Sequence, residues 1–470
     1  MAGVHAMMII GGESSNSIAK PVIEDPLDNS VDVPEQPVFR ISEFNDLSGV
    51  AVFDRSVFIV RDSVGTVIHT SPEQSGYTYS PPAGILEEGE LTYTVEGYLK
   101  SVGHGISETS DPVTFTTKLK FASTYGLRWD STQAVGGYTR LGDPYYTAVQ
   151  SRMKRCVLLA DGTVNYYLDP TDSTKKEDGS PADLTGASGN VMVEIPKFYA
   201  KYENTAGAKE MWVSEKPLEG FEVHPAFIKN GVEVDYRYYR AYKGSVSGTK
   251  LISRSGDSAA ASETIEAFRT KARANGAGWG LVDWHLLHAV QTLLFIEIGT
   301  FDSQAMLGNG NNIGGDHGMT TGGSNSIGNG NSPSTNDDTW MSYRGIENFY
   351  ADIWEFIDGI NVSGRLVYTS NTESTFNSDV FSGDYVSTGV TLLRSGYIKD
   401  MDFSINGFIP TVGGGSDSTY VPDYMESNAG AQVVIFGGYA GYGLFCGAAC
   451  LAAYSASSDA LANLGAGLSF

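Results

Sequence analysis

The chain has 470 residues, with 31 Lys and Arg against 55 Asp and Glu, giving a formal net charge of −24. A chain of this length implies two or three domains, each able to bury a core, and its acidic balance disfavours phosphate backbones and anionic membranes, so no nucleic-acid partner and no membrane insertion are expected. The 56 glycines and 26 tyrosines, set against 18% charged residues, point to tight turns and aromatic binding surfaces, while the three cysteines Cys156, Cys446 and Cys450 build neither a disulfide framework nor the Cys-x-x-Cys pairs of a structural zinc site.

Met1 to Ile10 contains the apolar run Val4 to Ile10, without a preceding basic residue or a small-residue cleavage pattern, so a secretory signal is not expected. The next stretch is rich in Ser, Asn, Pro and acidic residues such as Glu24, Asp25, Asp28 and Glu35, and residues 1–36 are predicted to be an extended docking arm lacking a core. From 37 to 118 short alternating runs lie between turn signals: Ser56 to Val60, Thr66 to His69, Gly76 to Tyr79, Leu91 to Val95 and Val113 to Thr117. Strands of about five residues without a helical stripe predict a β-sandwich. The run Leu91-Thr-Tyr-Thr-Val-Glu-Gly-Tyr, followed by Val113-Thr-Phe-Thr-Thr, resembles the tyrosine-bearing and closing strands of fibronectin type III domains, which implies a spacer.

Beyond residue 119 helical patterns appear. Ser262 can cap a helix running to Asn275, with Ile265, Phe268 and Ala272 on one face and Gly276 as its stop. Asp283 can cap a second, which runs from Trp284 to Glu297 and is apolar nearly all round, hence buried. Two helices among many strand-like segments predict an α+β domain over 119–470. Residues 308–338 are almost entirely Gly, Asn, Ser and Thr, a surface insertion in which Ile313 and Ile327 can each pin one turn.

The segment Tyr343 to Asn361 is the most specific internal signal. Its centre, Asp352-Ile-Trp-Glu-Phe356, resembles the Asn-Val-Trp-Glu-Trp element of formylglycine-generating enzymes and of the variable proteins of diversity-generating retroelements, which share a C-type-lectin-like fold. The resemblance implies a core Trp354 and an acid that ties down loops. Upstream, Gly276-Ala-Gly-Trp-Gly-Leu-Val-Asp-Trp-His and Val191-Met-Val-Glu-Ile-Pro-Lys-Phe-Tyr-Ala-Lys-Tyr resemble phage tail proteins that end in such domains.

Residues 433–470, ending Asn463-Leu-Gly-Ala-Gly-Leu-Ser-Phe470, resemble the C-terminal variable region of the retroelement-diversified proteins. Carried over residue by residue, Gly437, Gly438, Gly443, Phe445, Asn463, Gly465, Leu468 and Phe470 are scaffold, and Tyr439, Tyr442, Cys446, Cys450, Tyr454, Asp459 and Leu461 are display positions. Gly467 departs from the family pattern, which has arginine there, and this removes an expected ion pair. The segment contains no Lys, Arg, Glu, Gln, Met or Trp, a set compatible with adenine-directed mutation of Asn codons.

The chain is therefore read as a multi-domain phage tail adhesin: an N-terminal arm docking on other virion tail proteins, a fibronectin type III-like spacer, and a C-type-lectin-like α+β domain. That domain would bind a bacterial surface protein or glycan, in a homotrimer where avidity multiplies weak contacts. Three alternatives remain: an inert virion appendage, a bacterial surface-displayed variable protein, and a formylglycine-type oxidase using Cys446 and Cys450. The Cys-x-x-x-Cys spacing is one shorter than in those enzymes and has no basic neighbour to lower a thiol pKa, so no catalysis is expected. His285 and His288 lack further ligands for zinc. Asp352, Glu355, Asp358 and Asn361 offer oxygens to Ca²⁺ but lack a dedicated loop pattern, so loop-tying hydrogen bonds are the preferred use and no cofactor is assigned. The Gly-x-Gly series from Gly308 to Gly315 has no following Lys-Ser/Thr and is not a phosphate loop.

Overall fold

The computed structural model describes residues 18–34, 36–82, 84–86, 91–117, 124–142, 147–205, 207–312, 315, 318–334 and 339–470. Ile313, one of the two expected loop pins, lies outside them, as do residues 1–17 of the expected arm. The chain divides into two compact units, Met1–Phe121 and Ala122–Phe470. Among the described residues no helix is long and apolar enough to cross a membrane.

In the first unit one sheet orders the strands Ile23–Asp25, Phe39–Ile41 and Thr78–Tyr79. The other runs Ser30–Val33, Val113–Thr117, Thr92–Ser101, Phe53–Arg61, Val67–Thr70. Inward residues of both, among them Phe39, Ile41, Phe58, Val95 and Phe115, share one core. Residues 18–34 are not a coreless arm: Ser30–Val33 pairs in parallel with Val113–Thr117, and Ile23 and Val33 are buried in that core. The acidic and proline content hid these apolar anchors, because a strand edge needs only an apolar residue at every second position.

The second unit overturns the α+β, C-type-lectin-like expectation for 119–470. Strand occupies 42% of the described residues and helix 11%, and the strands of this unit assemble into sheets of five, six and nine strands with several two-stranded ribbons. Both predicted helices form, but they are short islands. Ile265–Arg273 is capped by Thr264 rather than Ser262, whose φ of 61° places it outside the helix. Trp284–Ile298 is capped by Asp283 and ends at Gly299 in the left-handed region. The segments around them pair as strands of two to ten residues, which outnumber the helices and carry the sheets of this unit.

The Trp284–Ile298 helix, buried at every position except Glu297, packs on the five-stranded sheet through Thr124–Trp129 and Ala208–Ser214. It also meets the nine-stranded sheet through Trp354–Ser363 and Gly407–Gly413. A helix apolar all round has no solvent face to offer, so it is enclosed between two sheets.

His285 and His288 sit within this enclosure, and His288 Nδ1 lies 3.1 Å from Nε2 of His224, a partner not foreseen. Burial pushes all three imidazoles below their ordinary range, His285 to about 4. The unfolded chain takes up protons near pH 6.5 and the folded chain does not, so stability is full above that pH and falls as pH drops toward 4. For His285 alone the loss is roughly 3 kcal/mol. In urea unfolding, His285→Gln should lose distinctly less stability than wild type between pH 6.5 and 4; equal losses would refute the burial account.

Candidate functional site

The strand Ala431–Phe436 leaves the nine-stranded sheet at Gly437 and Gly438, passes Tyr439 to Tyr442 and a short 3-10 turn Gly443–Phe445, and returns as Leu451–Ser455. Outgoing and returning strands pair at Phe436 with Leu451 and Ile435 with Ala452, and the Gly437 amide donates to the Cys450 carbonyl at 2.9 Å. Gly438, at φ 87°, is obligatory, since a Cβ there would lie 2.4 Å from Cys446 Sγ.

The back of this loop is fixed by polar groups from the body. Asn312 donates to the Gly443 carbonyl at 3.2 Å, and Gln304 to those of Leu444, at 3.1 Å, and Cys446. Gln291 donates to the Ala448 carbonyl at 2.7 Å, while the Ala448 and Ala449 amides donate to Ser303 Oγ and Asp423 Oδ2 at 2.9 and 2.6 Å. Burial pushes the Asp423 carboxyl well above the usual range. Beneath the tyrosines the Ala440 amide donates to the Asp352 carbonyl and the Ala351 amide to that of Gly437, at 3.1 and 2.9 Å. Ala351 and Asp352 adopt φ of 59° and 69°, a strained geometry that these bonds over-determine.

The outer side of the loop is aromatic. The Tyr442 ring lies 5.1 Å from Trp354, 5.2 Å from Phe445 and 5.6 Å from Tyr439, measured between centroids. Phe445 in turn lies 4.4 Å from Tyr424 and 5.4 Å from Tyr397. Tyr397, Tyr424, Tyr439 and Tyr442 are half-buried, whereas Leu444 is 49% and Phe445 36% exposed. Each tyrosine thus packs one edge on a neighbour and keeps another for a partner. Burial pushes the Tyr442 and Tyr454 phenols far above their ordinary range, so both stay neutral hydroxyls.

The expected display set is only partly at this surface. Tyr439 and Tyr442 lie in the aromatic cluster, and Tyr454 is half-buried on the returning strand. Asp459 closes a tight turn by accepting from the Ala456 amide at 3.0 Å, and Leu461 is 52% exposed beyond it. Cys446 and Cys450 have no accessible surface and are corrected to interior positions. Burial pushes both thiols up, the reverse of what a reactive cysteine needs. Phe445, assigned to the scaffold, is exposed, and Tyr397 and Tyr424 were missed because they come from the strands Ser395–Ser404 and Val421–Ser427, outside 433–470.

The other scaffold assignments have direct contacts. Asn463 accepts from the Trp354 amide at 3.1 Å, Gly465 pairs with Glu355, Leu468 pairs with Leu281, and Phe470 packs 5.3 Å from Trp279. The four residues considered for Ca²⁺ are engaged separately. Asp352 accepts from Asn311 and the Met319 amide, Asp358 from Arg269, and Asn361 donates to the carbonyls of Asn377 and Val380. Glu355 accepts from Arg240 Nε at 2.7 Å and Lys243 Nζ at 3.0 Å. Among the described residues no group of three or more His, Cys, Asp or Glu is disposed to hold a metal ion.

Arg240 resolves the departure at Gly467. The cation expected from the C-terminal ending is supplied by another strand, and a Cβ on Gly467 would lie 1.9 Å from Glu355 Oε1 and 2.5 Å from Arg240 Cδ. Burial pushes Glu355 up, but the charges of Arg240 and Lys243 outweigh it and hold the carboxyl at about 2. Burial and the Arg240 charge bring Lys243 down to about 8.

No family model matches the sequence, and no curated protein matches it. Five solved chains are similar in structure. An α-L-rhamnosidase from Dictyoglumus thermophilum aligns at 11% identity and TM-score 0.21, over 48% of this chain and 28% of its own. The Streptomyces avermitilis α-L-rhamnosidase aligns at 11% identity and TM-score 0.18, over 47% and 23%. The chain thus spans about a quarter of the length of either rhamnosidase. The Major Tropism Determinant M1 variant aligns at 13% identity and TM-score 0.25, over 82% of this chain and 81% of its own. Similarities of this size carry no inference about activity.

Gly467→Ala should cost about 3–5 kcal/mol in chemical denaturation, as breaking a buried pair does, and Glu355→Gln a comparable amount. A loss below about 1 kcal/mol for both would mean that the ion pair is dispensable.

Proposed function

We propose that the chain is a bacteriophage tail adhesin, which binds a receptor on the host-cell surface through the aromatic face built on residues 439–445 with Tyr397 and Tyr424. The observation that carries this reading is the union of two properties at one place. The loop backbone is immobilised from behind by Gln304, Asn312, Ser303 and Asp423, and its front presents tyrosine, phenylalanine and leucine amid glycine and alanine.

Pre-organisation lowers the entropy cost of association. Tyrosine adds large contact area with few rotatable bonds, which is the chemistry of adaptable binding surfaces. The resemblance of 433–470 to the variable region of retroelement-diversified proteins supports the same face, and that of the upstream segments to phage tail proteins supports a place in the virion tail. The first unit serves as a spacer to other tail proteins, and assembly as a trimer would multiply modest contacts through avidity. The role is adhesive and not catalytic: both thiols of the 433–470 segment are interior and protonated, and adhesion requires no metal.

Replacing Tyr439, Tyr442 and Phe445 together by Ala should lower binding of the purified chain to host cells at least about 100-fold, as loss of clustered aromatic anchors does. The melting temperature should change by only a few degrees. Undiminished adsorption by a folded triple variant would place the receptor contact elsewhere. Turnover of a thiol peptide with copper, abolished by Cys446→Ser, would replace the adhesin by an oxidase.

A further inference from the structure

The aromatic face carries polar chemistry as well as rings. The hydroxyls of Tyr397, Tyr424, Tyr439, Tyr442 and Tyr454, all half-buried, make no hydrogen bond among the described residues. Tyr138, Tyr166 and Tyr167 are half-buried too, yet each donates: to the Tyr420 carbonyl at 2.8 Å, the Asp183 carbonyl at 2.9 Å and the Glu194 carboxylate at 2.9 Å. Among the unpaired phenols stands Glu426, a half-buried carboxylate with neither a hydrogen bond nor an ion pair among the described residues.

Strand register places this carboxylate. Glu426 lies two positions after Tyr424 on the strand Val421–Ser427, so both side chains leave one face. It pairs with Ala452, two positions before Tyr454 on the parallel neighbour Leu451–Ser455, which puts Tyr454 on that face as well. On the other side Tyr424 pairs with Tyr397, and the Tyr442 ring lies 6.5 Å from that of Tyr424. Burial raises the Tyr442 and Tyr454 phenols first, and the charge of Glu426 adds to both, so the carboxylate is within electrostatic reach of both rings.

Neighbouring cations do not neutralise it. Lys399 lies over the Tyr420 ring, 5.4 Å from its centroid. Arg394, whose carbonyl accepts from the Ser427 amide at 2.7 Å, is exposed and forms no ion pair among the described residues. Partly removed from water and without a counter-ion, Glu426 is complemented by a cation, and aromatic rings beside it add attraction for one. An anionic polymer would be repelled, and a neutral saccharide would leave the carboxylate uncompensated. Leu444 and Phe445 stand exposed on the same outer side. The cation therefore arrives with apolar surface around it, as the side chain of a lysine or arginine in a protein does and the ammonium of an amino sugar or a lipid head group does not. We propose that Glu426, with Tyr424, Tyr442 and Tyr454, is a subsite of the adhesive face that takes a lysine or arginine side chain of a host surface protein; this rests on the adhesive reading of that face.

Defined probes test the subsite without a receptor. The full chain, titrated with n-butylammonium and n-butylguanidinium while its tyrosine fluorescence is followed, should respond to both cations and not to n-butanol or butyrate. Glu426→Gln keeps the side chain's shape and breaks no hydrogen bond described above, so it should leave the melting temperature unchanged and weaken the response at least about tenfold. Arg394→Ala should leave the response intact. On host cells Glu426→Gln should lower binding by a similar factor, and protease treatment of the cells should abolish binding where periodate does not. No response to either cation, an equal response to n-butanol, an undiminished response in folded Glu426→Gln, or cell binding that survives protease but not periodate would overturn the proposal. Cell binding lost on replacing Tyr439, Tyr442 and Phe445 but unchanged by Glu426→Gln would overturn the subsite alone. Cell binding indifferent to all four replacements, with the probe response intact, would overturn the adhesive reading and leave the cation site standing.

Discussion

A carboxylate without accessible surface, Glu355, held between Arg240 and Lys243, is the constraint on which the second unit turns. An uncompensated ion at such depth costs several kcal/mol, so the chain is committed to any arrangement that brings the cations to it. Arg240 also donates to the carbonyls of Glu347 and Asn348, at 3.0 and 3.2 Å. One guanidinium thereby fixes the strand Tyr236–Arg240, the turn at 347–348 and the strand Trp354–Ser363 relative to one another. The 433–470 segment starts on the last of these and returns to it at 464–466, then ends on the first, where Ser469 pairs with Tyr239. Phe436 pairs with Glu355 on one side, and Gly465 pairs with the same residue on the other.

That geometry explains which parts of the site were legible in the sequence. Asp283 and Gly299 mark their helix because a cap is a local event, decided within a turn. Trp354 and Glu355 stood out as a motif, but the cation for Glu355 sits 115 residues earlier, and no spacing rule links a strand residue to a partner at that distance. Gly467 therefore looked like a lost ion pair when it is the space an ion pair occupies. The same limit hid Tyr397 and Tyr424, ordinary strand tyrosines until the sheet lays them beside Phe445.

The α+β expectation failed for a related reason. Helices of nine and fifteen residues are visible in a sequence, whereas a strand such as Leu464–Ala466 or Leu468–Ser469 acquires its identity only from the neighbours it pairs with. The Gly, Asn and Ser-rich insertion shows the converse. Its composition precludes a core, yet Asn311 and Ser324 are buried, because Asp352 and Glu347 accept hydrogen bonds from the insertion at Met319, Gly322 and Ser324. Burial pushes both carboxyls above their ordinary range, so what ties the loop is a set of directional hydrogen bonds more than net charge.

The 439–461 region separates backbone duties from side-chain duties, and this decides which positions tolerate exchange. Its course is held by main-chain groups: Gly437 to Cys450, Ala440 to Asp352, Tyr442 to Tyr439, and Leu464 to Leu461. None of these bonds consults the side chain of Tyr439, Tyr442, Leu444, Phe445 or Leu461, whose replacement would alter the outer surface and leave the fold its hydrogen bonds. Cys446 and Cys450 obey the opposite rule. Cys446 fills the space that Gly438 leaves by lacking a Cβ, and Cys450 is enclosed in the cluster that also holds Trp354 and Leu464. A larger residue at either would push against backbone, so variation on this face is confined to residues whose side chains leave the surface and whose amides do not.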